Sequence, residues 1–177
     1  MKLVVTVGMP GSGKDEIVAI AKGLGFHVIK MGDLVRNETQ KRRLPLIDKN
    51  IGRIANEERE KFGHSIWAKR VIPLVTETKT LIDGCRGDDE LSLFRHHFGD
   101  LVLIGVHSSP DTRFDRLSKR GRGDDSMSPE AFYERDRREL KFGIGNALAL
   151  ADHMIVNEGS VQELRDRVNE VLRSILD

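Results

Sequence analysis

The chain has 177 residues, of which 38% are hydrophobic and 32% charged, enough for one domain with a real core and no need of disulfides or a structural metal. Lys and Arg number 29 against 28 Asp and Glu, so a formal net charge of +1 argues against bulk electrostatic binding of nucleic acid or an anionic membrane. The single cysteine, Cys85, excludes an intrachain disulfide and a cysteine-based zinc site. No apolar run approaches the roughly 18 residues of a membrane helix. The first residues, Met1 to Gly8, lead directly into a glycine loop, unlike a signal peptide, so a soluble cytoplasmic protein is expected.

Short β-branched runs alternate with longer helical periods along the chain, the pattern of a parallel α/β sheet. Leu3 to Val7 is a continuous apolar run, as in a strand covered on both faces. A helical segment from Glu16 to Leu24 follows, then a strand at Val28-Ile29. Residues 33–77 are mostly helical and form an insert, with Trp67 among Ile66, Val71 and Ile72 as its core. Strands are expected at Thr80 to Ile82, Leu101 to Val106 and Met154 to Val156, giving five in all. Between them, His96 and His97 are adjacent on a helix that ends near Phe98-Gly99, and adjacent side chains diverge too far to share a metal. Ser109-Pro110-Asp111 and Ser128-Pro129-Glu130 each read as an N-cap, a proline at the first helical position and an acid in the first turn. Residues 119–128 are polar and glycine-containing and read as a loop. Arg113, Arg116 and Arg120, with Asp111 and Asp115, have the spacing of a solvated helix face, and Glu134 to Glu139 alternates charge like a salt-bridged one. Ser160 and Glu163 make a capping box, behind which Val161, Leu164, Val168, Leu172 and Ile175 fall at helical spacing. The expected organisation is a single domain, 1–177, with a core of residues 1–32, 78–118 and 129–177.

Gly8-Met9-Pro10-Gly11-Ser12-Gly13-Lys14 follows the first strand and precedes a helix. Glycines there let successive backbone N–H groups turn inward around phosphate oxygens, the helix N-terminus adds partial positive charge, and Lys14 reaches the outer phosphates. The pattern calls for Ser or Thr after the lysine, to hold magnesium through a hydroxyl, but this chain has Asp15. A carboxylate is a good hard-oxygen ligand for magnesium, yet it also repels nearby phosphates. Both roles stay open.

The chain resembles the nucleoside monophosphate kinase group of P-loop proteins, adenylate kinase in particular. Met31-Gly32-Asp33-Leu34-Val35-Arg36 is similar to the segment that opens that family's acceptor-binding insert, and Leu81-Ile82-Asp83-Gly84-Cys85-Arg86 to its Asp-Gly-Phe-Pro-Arg segment. Asp115 to Arg120 has the Asp-Arg-x-x-x-Arg spacing at the entry to its lid, and Arg122-Gly123-Asp124-Asp125 resembles the lid's far side. Ala151 to Ser160, with its Ala-Asp-x-x-Ile-x-Asn-x-Gly pattern, resembles dephospho-CoA kinase, where the loop after the last strand packs on the adenine of ATP. The blend, with Glu134 to Leu140, resembles an archaeal adenylate-kinase-related group without an assigned substrate. The Asp83 segment lacks the family's proline and is one residue short. The glutamine that reads an acceptor adenine is absent, Asp88, Asp89 and Glu90 standing in that stretch.

The resemblance implies a three-layer α/β P-loop fold with a parallel five-stranded sheet, a helical acceptor-binding insert (33–77) and a short lid (119–128). It implies ATP and magnesium as cofactors and a small nucleotide as substrate. Gly8 to Asp15, Arg116 and Asn157 would bind ATP. Lys14, Asp83, Arg120 and Arg122 would be catalytic. Asp33, Arg36 and Arg86 would hold the acceptor, with Arg135 and Arg138 as further phosphate contacts. Asp15 and Asp83 would serve magnesium, directly or through water. The expected activity is transfer of the γ-phosphoryl of ATP to a nucleoside monophosphate or similar phosphate-bearing molecule. A dephospho-CoA-like kinase and a nucleotide-dependent regulatory or RNA-associated ATPase are the alternatives; aromatics at only 5% supply little stacking platform for RNA.

Overall fold

The computed structural model describes residues 2–121 and 128–176. Five strands form one parallel sheet: β1 (Lys2–Val7), β2 (His27–Lys30), β3 (Lys79–Cys85), β4 (Leu101–His107) and β5 (His153–Val156), in the order β2-β3-β1-β4-β5. β1 lies at the centre, and its apolar run is explained by helices on both faces. Leu3, Val5 and Val7 pack on one side and Val4 on the other, all fully buried.

On the Val4 face lie α1 (Lys14–Gly23) and α9 (Val161–Leu176), which contribute Ile17, Val18, Ala21, Leu164, Val168 and Leu172. On the other face lie α2 (Met31–Lys41), α3 (Asp48–Phe62), α4 (Ile66–Val71), α5 (Asp88–Phe98) and α8 (Ile144–Ala149), with Trp67 and Phe94 as the largest buried side chains. α6 (Pro110–Arg120) and α7 (Pro129–Lys141) complete the described helices. The three-layer α/β P-loop architecture is thus as expected. No helix among the described residues is long and apolar enough to cross a membrane.

The local signals act as their chemistry requires. Ser109 and Ser128 each accept a hydrogen bond from the backbone N–H three residues on, and Ser160 and Glu163 bond reciprocally. Gly99 ends α5 at φ +74, where an L side chain would be strained. Two boundaries differ from the sequence reading. The helical insert, expected from residue 33, begins at Met31 with α2, so Asp33 sits inside the first turn. Lys119 and Arg120 continue α6, because the helix stops only where Gly121 turns left-handed at φ +61.

Candidate functional site

At the carboxyl edge of a parallel sheet the strands deliver their following loops into one crevice. Here that crevice is a cleft of about 680 Å³. β1 supplies the phosphate loop, and Gly11 (φ +82) and Gly13 (φ +102) give it its turn. A side chain at Gly13 would run into Nδ2 of Asn157, which itself donates 2.9 Å to the carbonyl of Ser12. Asn157, just after β5, therefore braces the loop from beneath and does not line the cleft.

Lys14 enters at the start of α1. Its Nζ donates 2.5 Å to the carbonyl of Gly8 and 3.3 Å to that of Met9. Burial pulls its pKa down to about 8, with Arg86 acting in the same direction and Asp83 opposing it. The hydroxyl of Ser12 is buried without a hydrogen-bond partner. Pro10, Gly11, Gly13 and Lys14 line the cleft, whereas Ser12, expected to bind ATP, is fully buried behind them; the desolvated ammonium at a helix start is what a phosphate oxygen would complete.

β3 supplies Asp83 and Arg86. Its register against β1 slips between Thr6 and Val7, because Gly84 adopts φ +95 and adds one residue, a bulge that turns the strand end. Asp83 accepts a 2.6 Å hydrogen bond from the Thr6 hydroxyl. Arg86 is held at both ends. Its backbone N–H donates 2.7 Å to Glu90, and its guanidinium donates 2.6 Å to Glu139. Burial works against charge on Arg86, but Glu139, Asp83 and Glu90 outweigh it and hold it above the ordinary arginine range. Burial likewise works against the Glu139 carboxylate, and Arg86, Arg135, Arg138 and Arg59 overcome it, so its pKa is lowered.

Lys30, Asp33 and Arg36 reach the cleft from the end of β2 and the start of α2, and Arg116 and Arg120 from α6. Arg116 bonds the Ser108 hydroxyl at 2.9 Å and the Asn157 carbonyl oxygen at 3.3 Å. Asp15 lies within 3.4 Å of Lys30 and 3.5 Å of Arg120. Beyond Arg36 the cleft narrows into a recess of about 80 Å³ bounded by Arg59, Trp67, Arg138 and Phe142. There the Arg59 guanidinium stacks 4.1 Å above the Phe142 ring. Among the described residues, eight Lys and Arg side chains line the main cleft against three carboxylates, an excess of positive charge in a nearly neutral chain. Such a cleft concentrates an anionic ligand.

Two readings of charged helix faces need correction. Arg113 is not on a solvated face. It is buried, bonding Asp136 at 2.8 Å through Nη1, and it also donates to the carbonyls of Ser108 and Pro10. The Glu134 to Glu139 stretch is not a salt-bridged surface either, since Arg135, Asp136 and Glu139 are buried and pair with other elements. Arg138, expected to meet phosphate, does not line the main cleft and contacts Asp48 at the start of α3; Arg135 contacts Asp48 as well but reaches the cleft. Glu90, in the stretch where the related family carries its glutamine, is tied to Arg86 and, at 3.0 Å, to Arg59. Cys85 is a buried filler with a raised pKa, chiefly from burial. Arg122 lies outside the described residues, as does most of the expected lid.

Lys14, Asp15, Asp33, Arg36, Asp83, Arg86, Arg116, Arg120 and Arg135 are brought to one cleft as the sequence suggested. Lys30, Asp48 and Glu139 were missed. Lys30 was findable, since it ends a strand immediately before the Met31-Gly32-Asp33 segment. Glu139 and Asp48 carry no such signal, because their partners are 53 and 90 residues away in sequence. Among the described residues no group of three or more His, Cys, Asp or Glu is arranged for a metal. Asp15 and Asp83 nonetheless offer hard oxygen donors beside the loop, a donor set that fits magnesium held jointly with phosphates and water.

An AAA domain model matches residues 7–132, spanning the loop and the cleft. A UPF0200 protein of Methanocaldococcus jannaschii is 44% identical, covering 100% of this chain and 92% of the relative. One from Thermoplasma volcanium is 41% identical, covering 96% of each. The chain belongs to the UPF0200 family. This UPF0200 chain also resembles a gluconokinase from Sinorhizobium meliloti (TM-score 0.63, 17% identity, covering 98% of this chain and 93% of the other). It is similar as well to a shikimate kinase from Acinetobacter baumannii in complex with shikimate (TM-score 0.62, 15% identity, covering 99% and 93%). The UPF0200 fold is accordingly that of the P-loop kinases.

Proposed function

We propose that the chain is a magnesium-dependent phosphotransferase that moves the γ-phosphoryl of ATP to a small phosphate-bearing acceptor, a nucleoside monophosphate first among them. The observation that carries this reading is the convergence of the phosphate loop, Asp83 and arginines from three further segments on one cationic cleft. Phosphoryl transfer asks the protein mainly for alignment and for stabilisation of charge on the moving group. Lys14 and the loop N–H groups hold the donor phosphates. Arg116, fixed by Ser108 and Asn157, flanks the donor side. Arg36 and Arg86 receive the acceptor phosphate, each as a planar fork. Arg120, with Arg122, attends the transferring group. Asp33 accepts or orients the acceptor's proton. Asp15 and Asp83 would hold magnesium, which supplies neutralisation of phosphate charge when bound. Residues 33–77 close over the acceptor, excluding water.

The test is ADP release from ATP and magnesium, without acceptor and then with each nucleoside monophosphate, dephospho-CoA, gluconate and shikimate. The last two belong in the panel because the structural neighbours include a gluconokinase and a shikimate kinase. Strong stimulation by a monophosphate, with its phosphorylated product identified, supports the reading. Stimulation by dephospho-CoA or a phosphate-free acid moves the acceptor class. Slow release indifferent to every acceptor favours a regulatory ATPase.

A further inference from the structure

Asp15 places a carboxylate where phosphate loops of this pattern present a hydroxyl, and the structure shows what answers that charge. Lys30 is the last residue of β2 and pairs in register with Asp83, so it leaves the sheet at the same edge as the proposed metal-side carboxylate. It lines the cleft together with Lys14, and its Nζ lies 3.4 Å from Asp15. Both partners are partly open to water, at 33% and 47% side-chain exposure, and an ion pair so exposed is weak enough to be exchanged for a better partner. Asp15 alone would repel nucleotide phosphates, and Lys30 alone would attract them. Arg120 also approaches Asp15, at 3.5 Å, so the carboxylate is answered from two sides; of the two cations Lys30 is the nearer, and paired with it the two charges largely offset.

We propose that Lys30 is a further phosphate-binding residue of this cleft, and that Asp15 gates it. Without a divalent cation, Asp15 holds Lys30 and the pair contributes little to nucleotide binding. Where Asp15 instead holds a divalent cation, the carboxylate no longer needs Lys30, whose ammonium turns to the phosphate oxygens. The replacement of a neutral hydroxyl by Asp15 is thereby matched by an added cation, and nucleotide affinity is coupled to the metal more steeply than a hydroxyl would allow. The inference rests on the reading that the cleft takes a nucleotide.

The experiment measures equilibrium binding of a fluorescent ADP, with magnesium and with EDTA, to the wild type, Lys30→Met, Asp15→Ser and the double variant. Thermal melts confirm that each is folded. Losing one charge-assisted hydrogen bond corresponds to about tenfold or more in affinity. Lys30→Met is expected to weaken binding by about that factor with magnesium and to leave it within about twofold with EDTA. Asp15→Ser is expected to tighten binding in EDTA, and adding Lys30→Met to it should cancel the gain, a coupling that the double-mutant cycle reads directly. Equal losses with and without magnesium would show Lys30 binding phosphate independently of Asp15 and overturn the gating. No loss in either condition would remove Lys30 from the site. Failure of the wild type to bind ADP under both conditions would overturn the nucleotide reading itself, and this inference with it.

Discussion

Raising the pH from 7 to 9 is expected to strip the proton from Lys14 in the empty cleft. Burial sets its pKa near about 8, far below its ordinary 10.5. The ammonium fraction of the free protein therefore falls from about nine-tenths to about one-tenth across that interval. A bound phosphate favours the charged form, so the nucleotide complex keeps the proton over the same range. Apparent ADP affinity should accordingly drop by about tenfold, or about 1.4 kcal/mol, between pH 7 and pH 9. The assay is a fluorescence titration of ADP at constant ionic strength. Calorimetry in two buffers of different ionisation heat should also show proton uptake on binding near pH 8. Lys14→Arg supplies the control, because a guanidinium stays charged throughout and carries along any titration of the nucleotide itself. An equal pH slope in that variant would refute the assignment of the titration to Lys14, and a flat wild-type profile would refute a lowered pKa for Lys14 in the empty cleft. The stability of the free protein moves the opposite way. Between about pH 8 and 10.5 the unfolded chain binds more protons at Lys14 than the folded one, so this residue's contribution to stability rises with pH in that window.

Three further outcomes are expected. Arg36→Ala should raise the KM for the acceptor while leaving that for ATP nearly unchanged, and a defect confined to ATP would reverse the donor and acceptor sides. Arg113→Ala breaks a buried ion pair and strands Asp136, so urea unfolding should show a loss of about 3–5 kcal/mol. A loss below about 1 kcal/mol would mean that Asp136 finds water or another partner. Cys85 should resist thiol reagents in the native state and react fully once unfolded, since burial removes both access and thiolate; rapid native labelling would show that the β3 end opens.

The fold was legible because its signals are local. An apolar run without alternation at Leu3 to Val7 demands cover on both faces, and Ser109-Pro110, Ser128-Pro129 and Ser160 with Glu163 fix helix starts through bonds spanning three residues. The phosphate-loop side of the cleft was legible for the same reason, since the loop lies within one strand, one turn and one helix start. The rest of the cleft was legible only as a set of arginines. Their partners are carboxylates brought from elsewhere, and no spacing announces that Glu139 will hold Arg86, that Asp48 will face Arg138, or that Asp136 will bury Arg113.

The sequence by itself determined the sheet, the phosphate loop and the identity of most cleft-lining charges, because backbone periodicity and turn chemistry depend on neighbours within a few residues. Only the tertiary structure decided which charges face the cleft and which lie paired beneath it. A helix presents arginines at positions three and four apart alike. Whether one meets solvent, as a surface face would, or a buried carboxylate, as Arg113 does, depends on what α7 brings against it. That choice is made by packing and by the cost of leaving a charge unpaired away from water, neither of which is written in local spacing.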